Sequence, residues 1–260
     1  MRAKLLGVDF ETQHADAETC NVTEVGAILS TERFTPIEGK EVSKLCFEGM
    51  YPPQSEEVAE LTGITDEMLR TTGWLPQLVF EKLLFPLVEE ADYVLAYNKS
   101  FDETVYYATS QRLGLNPPRK PWICAMSEVD YPKKFRCRQL SHLAFDHRIP
   151  FDPHGLHRAL DDVRLMLQVC AVYGFENILA YVNEPWVYLQ AIFPAPFGAT
   201  QTAGLVGKAK AQKLGYGWER VRGDPREFPK SWVRRVKSRS VEQELEQARK
   251  LELTVRVLSP

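Results

Sequence analysis

The sequence predicts an α/β domain, a mixed sheet flanked by helices, followed by a small α+β domain. Three observations predict it. Apolar strand patterns come first and then alternate with amphipathic helical ones, as in layered α/β domains. After Gly174 the pattern changes: Asn183-Glu184-Pro185 and Pro194-Ala195-Pro196 punctuate the chain, and short strand candidates replace long helices. The 260 residues, 44% hydrophobic and 26% charged, have a globular composition and room for one medium domain plus a small one. The boundary is expected near residue 184, giving domains 1–183 and 184–260.

The elements follow in chain order. Leu5 to Thr12 (LLGVDFET) reads as a buried strand. Asn21 to Ser30 alternates as a second strand and Glu41 to Phe47 as a third, so a meander is expected. Glu56 to Leu69 reads as two short helices broken at Gly63. Pro76 to Ala91 is amphipathic, with Leu78, Val79, Leu83, Leu84 and Leu87 inward and a kink expected at Pro86. Tyr93 to Tyr97 is a short buried strand that runs into a helix ending near Leu113, with Ser100 as N-cap and Glu103 completing a capping box. Trp122 to Cys124 is a further strand, and Gln139 to Phe145 and Arg158 to Tyr173 are helices. In the second domain, Val187–Phe193, Trp218–Val221, Ser231–Val236 and Leu253–Leu258 read as strands and Glu242–Leu251 as a helix.

The first strand carries the chemistry. With a side-chain period of two, Asp9 and Glu11 point to one face and Phe10 to the other. Two like charges on a core strand repel each other and lose hydration, so a neutralising partner is required. A hard divalent cation such as Mg²⁺ suits carboxylate oxygens. An isolated Asp-x-Glu is more often a frayed strand end, so the remaining ligands decide its meaning. Asp102 begins a helix, where an acid also complements the helix dipole. It follows the end of strand Tyr93–Tyr97, and sites in α/β sheets gather at strand ends. In His157-Arg158-Ala159-Leu160-Asp161-Asp162 two adjacent acids compete, and periodicity alone does not choose between Asp161 and Asp162.

Composition narrows the class. No apolar run approaches the ~18 residues of a membrane span, and Asp9 and Glu11 interrupt the one candidate for a secretory segment. No membrane partner is expected. Cys20, Cys46, Cys124, Cys137 and Cys170 are scattered, odd in number and never in C-x-x-C spacing, which argues against a zinc site or a disulfide framework and for the cytoplasm. The net charge of −3 hides an asymmetry: Lys208 to Arg239 holds eleven bases against three acids, +8, leaving −11 for the rest. A basic tail on an acidic body points to a polyanion partner.

Together, Asp9-Phe10-Glu11-Thr12, Asn98-x-x-x-Asp102 and His157-x-x-x-x-Asp162 resemble, in order and spacing, the DEDDh superfamily of 3′→5′ exonucleases, which includes polymerase proofreading subunits, the ribonuclease T family and exonuclease X. The resemblance covers roughly residues 4 to 174, and Trp122-Ile123-Cys124-Ala125-Met126 and Gly155-Leu156-His157-Arg158-Ala159-Leu160 look closest to the exonuclease X branch. It implies a ribonuclease H-like fold and a place in DNA repair or proofreading. It also implies that Asp162, rather than Asp161, is the ligand. Leu61-Thr62-Gly63-Ile64-Thr65 looks like the segment that touches the terminal nucleotide, and the resemblance sets Thr12, Gln13, Leu61, Thr62, Asn98 and Phe101 against substrate. Two departures stand out: Tyr97 where the family often has a histidine, and Gln13-His14-Ala15-Asp16 where a Thr-Gly-Leu-like turn is usual.

The implied chemistry is phosphodiester hydrolysis assisted by two divalent ions about 4 Å apart, Mg²⁺ with Mn²⁺ as a substitute. Asp9, Glu11, Asp102 and Asp162 are the expected ligands. His157 is the expected base, its ordinary pKa of about 6.5 suiting proton transfer near neutrality. The expected product is a 5′-mononucleotide released from a DNA 3′ end. An exoribonuclease is the near alternative, because the contacts that would recognise a 2′-hydroxyl are not legible. A silent binding or polymerase-accessory module would be favoured by loss of any of the five site residues, and all five are present. In the tail, bases interleave with aromatics around Lys213–Trp218 and Lys230–Arg234. Trp218 and Trp232 are expected to pair across a hairpin as core, leaving the Lys and Arg residues for nucleic acid.

Overall fold

The computed structural model describes residues 3–49, 54–132, 134–135, 137–152, 157–194, 201–219 and 231–258. The chain divides into two compact units, Met1–Val182 and Asn183–Pro260.

The first unit is built on a five-stranded sheet of order β3-β2-β1-β4-β5. β1 (Lys4–Thr12), β2 (Val22–Thr31) and β3 (Pro36–Leu45) form an antiparallel meander, while β4 (Tyr93–Ala96) and β5 (Trp122–Cys124) add in parallel. This is the mixed sheet expected. β3 starts five residues before Glu41, and β2 is buried on both faces rather than one, lying between β3 and β1. The period of two sorts β1 cleanly. Leu6, Val8 and Phe10 join a core with Phe80, Leu84 and Tyr106, where Phe10 stacks on Phe80 at 5.8 Å. Leu5 faces the opposite side, in a core with Val163, Met166 and Leu167.

Helices α1 (Glu56–Thr62) and α2 (Asp66–Thr72) are capped by the Ser55 and Thr65 side chains and separated at Gly63, which takes the left-handed φ of 67°. The next segment runs as α3 (Pro76–Leu78), a π-helical turn (Val79–Leu84) and α4 (Phe85–Glu90). The expected break at Pro86 is accommodated by that wider turn just upstream, where the missing proline N–H and the crowded carbonyl are tolerated. Val79, Leu84 and Leu87 are buried there, but Leu78 is exposed. In α5 (Lys99–Arg112) the N-cap position falls on Asn98 rather than Ser100, with no side-chain capping bond, and the Ser100 hydroxyl donates to Asn98 Oδ1 at 3.1 Å. α6 (Leu140–Asp146), α7 (Ala159–Tyr173) and α8 (Phe175–Asn183) complete this series. No single helix among the described residues is long and apolar enough to cross a membrane.

The second unit has a four-stranded antiparallel sheet of order β7-β8-β6-β9, formed by β6 (Trp186–Ile192), β7 (Gly217–Glu219), β8 (Ser231–Lys237) and β9 (Thr254–Leu258). Helices α9 (Gln201–Lys213) and α10 (Val241–Lys250) accompany it. α9 was not expected, because Gly204 and Gly207 lower its helix propensity. The reason for Gly207 lies in packing: a Cβ there would fall 2.5 Å from the Phe193 ring. Trp218 does pair with Trp232 across β7 and β8, with ring centroids 5.8 Å apart. Trp232 packs on the core, but Trp218 is 54% exposed, contrary to its expected core role.

Candidate active site

β1 brings the first two acids to one place. Asp9 and Glu11 lie on the face covered by α7, opposite Gly26 and Glu24 of β2. That face admits a helix at close range because Gly7 and Gly26 present no side chains to it. A Cβ on Gly26 would stand 2.3 Å from the Ala159 carbonyl carbon, and one on Gly7 would stand 2.8 Å from Val163 Cγ1. The first turn of α7 therefore rests directly against the strand pair that bears the acids.

This seating decides between the adjacent acids at the start of α7. Asp162 turns inward, and its carboxylate joins those of Asp9 and Glu11, with one oxygen of each lying within 4.8 Å of the others. Asp161 turns outward to Arg164 at 3.0 Å. His157 precedes the helix in the loop, at a φ of 65° that non-glycine residues seldom adopt. Its helical i+4 relation to Asp161 therefore does not form. Asp102, buried in α5, reaches β1 from the other direction: its Oδ1 accepts the Phe10 N–H at 3.3 Å.

The four carboxylates and His157 open into one cavity of about 470 Å³, whose walls also include Asn98 and Phe101. Tyr97, Gln139, Leu140 and Ser141 line it too, and none of these four was expected at the site. Tyr97 donates its hydroxyl to the Arg138 carbonyl, which ties this wall to the end of β4. A larger open depression of about 1120 Å³ runs along the outer face of α5 and holds none of these carboxylates.

The remaining expected substrate contacts are placed elsewhere. Thr12 donates to the His14 carbonyl at 2.9 Å, and Gln13 accepts from Asn21 at 2.9 Å. Thr62 is buried and its hydroxyl bonds within its own helix, to the Val58 carbonyl at 2.9 Å, whereas Leu61 is 55% exposed. None of these four lines the cavity. Gly155 and Leu156 lie outside the described residues.

The electrostatics follow from crowding like charges in a buried place. Burial first, then Asp102, Glu11, Asp162 and Glu24, push the Asp9 carboxyl far above its ordinary range. Glu11 is pushed up to about 8 by burial, then by Asp162, Glu24 and Asp102, with Arg158 opposing. Burial raises Asp102 to about 7 against backbone hydrogen bonds from Phe10 and its own helix turn. Burial raises Asp162 to about 6, while the nearby His157 lowers it. Arg158 and His157 offset only part of this crowding, and a hard cation would offset the rest. One oxygen from each of Asp9, Glu11 and Asp162 within 4.8 Å of the others is a hard-oxygen donor set that a divalent cation could draw together.

Two residues escaped the sequence reading. Glu24 is buried, yet it accepts Arg158 Nε and Nη2 at 3.0 and 2.8 Å and the Ala159 N–H at 3.1 Å. The available signal was an acid within a strand otherwise made of Val, Gly, Ala, Ile and Leu with small hydroxyl residues. Its partner Arg158 was visible only as a helix-start residue.

Residues 6–170 match the family model RNase_T, described as an exonuclease. The chain belongs to the RNase_T exonuclease family. By that family it is a hydrolytic nuclease. Among solved structures, this exonuclease is similar to the zinc-ion-bound form of the E. coli ExoI–ssDNA complex. The TM-score is 0.64 at 15% identity, covering 98% of this chain and 68% of that one. A product-bound exonuclease I gives 0.64 at 16% identity, covering 97% and 68%. The nuclease domain of 3′hExo, a DEDDh family member bound to rAMP, gives 0.54 at 16% identity, covering 66% and 92%. These likenesses show the fold, a ribonuclease H-like sheet flanked by helices. No curated protein matches this exonuclease in sequence.

Proposed function

We propose that this exonuclease is a 3′→5′ exodeoxyribonuclease that removes 5′-mononucleotides from DNA 3′ ends with two divalent ions, Mg²⁺ or Mn²⁺ in its place. The single observation that carries this is the convergence of Asp9, Glu11, Asp102 and Asp162 with His157 on one cavity. Asp9, Glu11 and Asp162, whose oxygens lie close together, would hold a divalent ion, and Asp102, on the wall of the same cavity, would complete the ligand set. When bound, the ions polarise the attacking water and balance charge on the departing 3′-oxygen. His157, exposed at the cavity mouth before α7, takes the proton from that water. Asn98 and Phe101, at the start of α5, border the space for the terminal nucleotide.

DNA is favoured over RNA by coverage. The likeness to ExoI in its complexes with ssDNA runs over nearly the whole chain, second unit included, whereas the likeness to the rAMP-bound 3′hExo domain covers two thirds of it. RNA ends are the second reading, on that latter likeness. In the second unit, Lys213 and Arg235 are exposed and are assigned to backbone phosphates. Lys210, Arg234 and Arg239 are engaged by Glu252, Glu244 and Glu184, and Lys237 by the Glu184 carbonyl, which narrows the basic surface expected from sequence. Arg220, Arg222, Arg226 and Lys230 lie outside the described residues.

Initial rates on DNA and RNA oligonucleotides of one sequence, in Mg²⁺, test the assignment. Faster release of 5′-mononucleotides from DNA is expected. Faster release from RNA would move the assignment to the second reading.

A further inference from the structure

We propose that Glu24, through Arg158 and the Ala159 amide, is a positioning residue that sets Asp162 and His157 at the reaction centre. This rests on the two-ion reading above and adds a residue outside its ligand set. Glu24 is the cross-strand partner of Glu11, so it sits beside the carboxylate cluster, yet its own oxygens are turned to α7. Oε2 accepts Arg158 Nε and the Ala159 N–H, and Oε1 accepts Arg158 Nη2. These are the cap residue and the first residue of α7. His157 is the residue before them, and Asp162 lies one turn beyond.

The alternative is that Glu24 and Arg158 form an ordinary stabilising ion pair. Energetics argue against that as a full account. A buried ion pair contributes little that an apolar pair of similar volume would not, and Glu24 adds a like charge beside Glu11. What the pair supplies is geometry. A planar guanidinium held by two parallel bonds and a backbone amide held by a third fix the helix end in translation and rotation. The close approach at Gly26 leaves that end no side chain to rest on, so these bonds define where it stops.

The test uses the full chain and the variants Glu24→Ala, Glu24→Gln and Glu24→Asp. Turnover and KM are measured on a 3′-ended oligonucleotide, Mn²⁺ binding by electron paramagnetic resonance, and Tm with each. Residues that orient metal ligands typically change metal affinity or activity by about 10–100-fold. Glu24→Ala is expected to lower kcat and Mn²⁺ affinity by that order, with KM within about twofold. Glu24→Gln keeps one acceptor oxygen for Arg158 Nε and the Ala159 N–H but sets its NH2 against Arg158 Nη2, and is expected to recover part of the kcat that Glu24→Ala loses. If Glu24→Ala does not fold, Glu24→Asp serves, because it keeps the charge and loses the reach; kcat and Mn²⁺ affinity should fall together. A lower Tm with unchanged kcat and Mn²⁺ affinity would overturn the proposal, as would a folded Glu24→Gln no better than Glu24→Ala. A wild-type chain that binds Mn²⁺ weakly and turns over nothing would instead remove the two-ion reading on which it stands.

Discussion

Glu11 at about 8, Asp102 at about 7 and Asp162 at about 6 hold protons that the unfolded chain releases near pH 4. Between those limits the folded state binds more protons than the unfolded one, so stability falls as pH rises. The window runs from about pH 4 to about pH 8, and a bound cation closes it by favouring the ionised forms. In EDTA, Tm is therefore expected to decrease from pH 5 to pH 8, and added Mg²⁺ should raise Tm more at pH 8 than at pH 5. A flat Tm in EDTA across that range would contradict this crowding of charge. At this scale the acids of β1 were legible, because strand alternation alone puts Asp9 and Glu11 on one face. Asp162 against Asp161 was not, since the choice depends on where α7 starts. Glu24 was not legible either: its role exists only through a register with Glu11 and a contact 134 residues away in sequence.

α7 is the element on which the site depends, and Gly26 is the position that seats it. Gly26→Ala forces a methyl group into the Ala159 backbone, so the helix end or β2 must shift. A destabilisation of about 1–3 kcal/mol is expected from such overpacking, together with a loss of kcat larger than the stability change explains. Thermal unfolding and single-turnover rates on the same preparation check both, and an unshifted kcat would show that the seat is not needed. The elements themselves were largely readable from period and punctuation, down to the split at Gly63. The misses have local causes. The N-cap position of α5 moved to Asn98 because the chain turns as soon as β4 ends. Leu78 is exposed because the π-helical turn alters the angular spacing on which the inward face was drawn. α9 was hidden by glycines whose purpose, room for Phe193, is tertiary.

Across the whole molecule, charge separates the two units more sharply than the sequence boundary does. The first carries the acid cluster; the second carries the basic run, part of it already paired within that unit. Lys213→Glu with Arg235→Glu is expected to weaken oligonucleotide binding at low salt while leaving kcat on saturating substrate unchanged. For single strands each lost phosphate contact should reduce the salt slope of log affinity by about 0.7. Unchanged affinity at low salt would remove nucleic acid as the partner of this surface. The metal-dependent cleavage itself is tested most directly by a time course on 5′-labelled single-stranded DNA, with wild type in Mg²⁺, wild type in EDTA, and Asp102→Ala in Mg²⁺. A ladder shortening from the 3′ end with wild type in Mg²⁺ is predicted, with none in EDTA and a rate lower by roughly 10³-fold or more in Asp102→Ala. Equal ladders in all three lanes would contradict a reaction centred on these carboxylates.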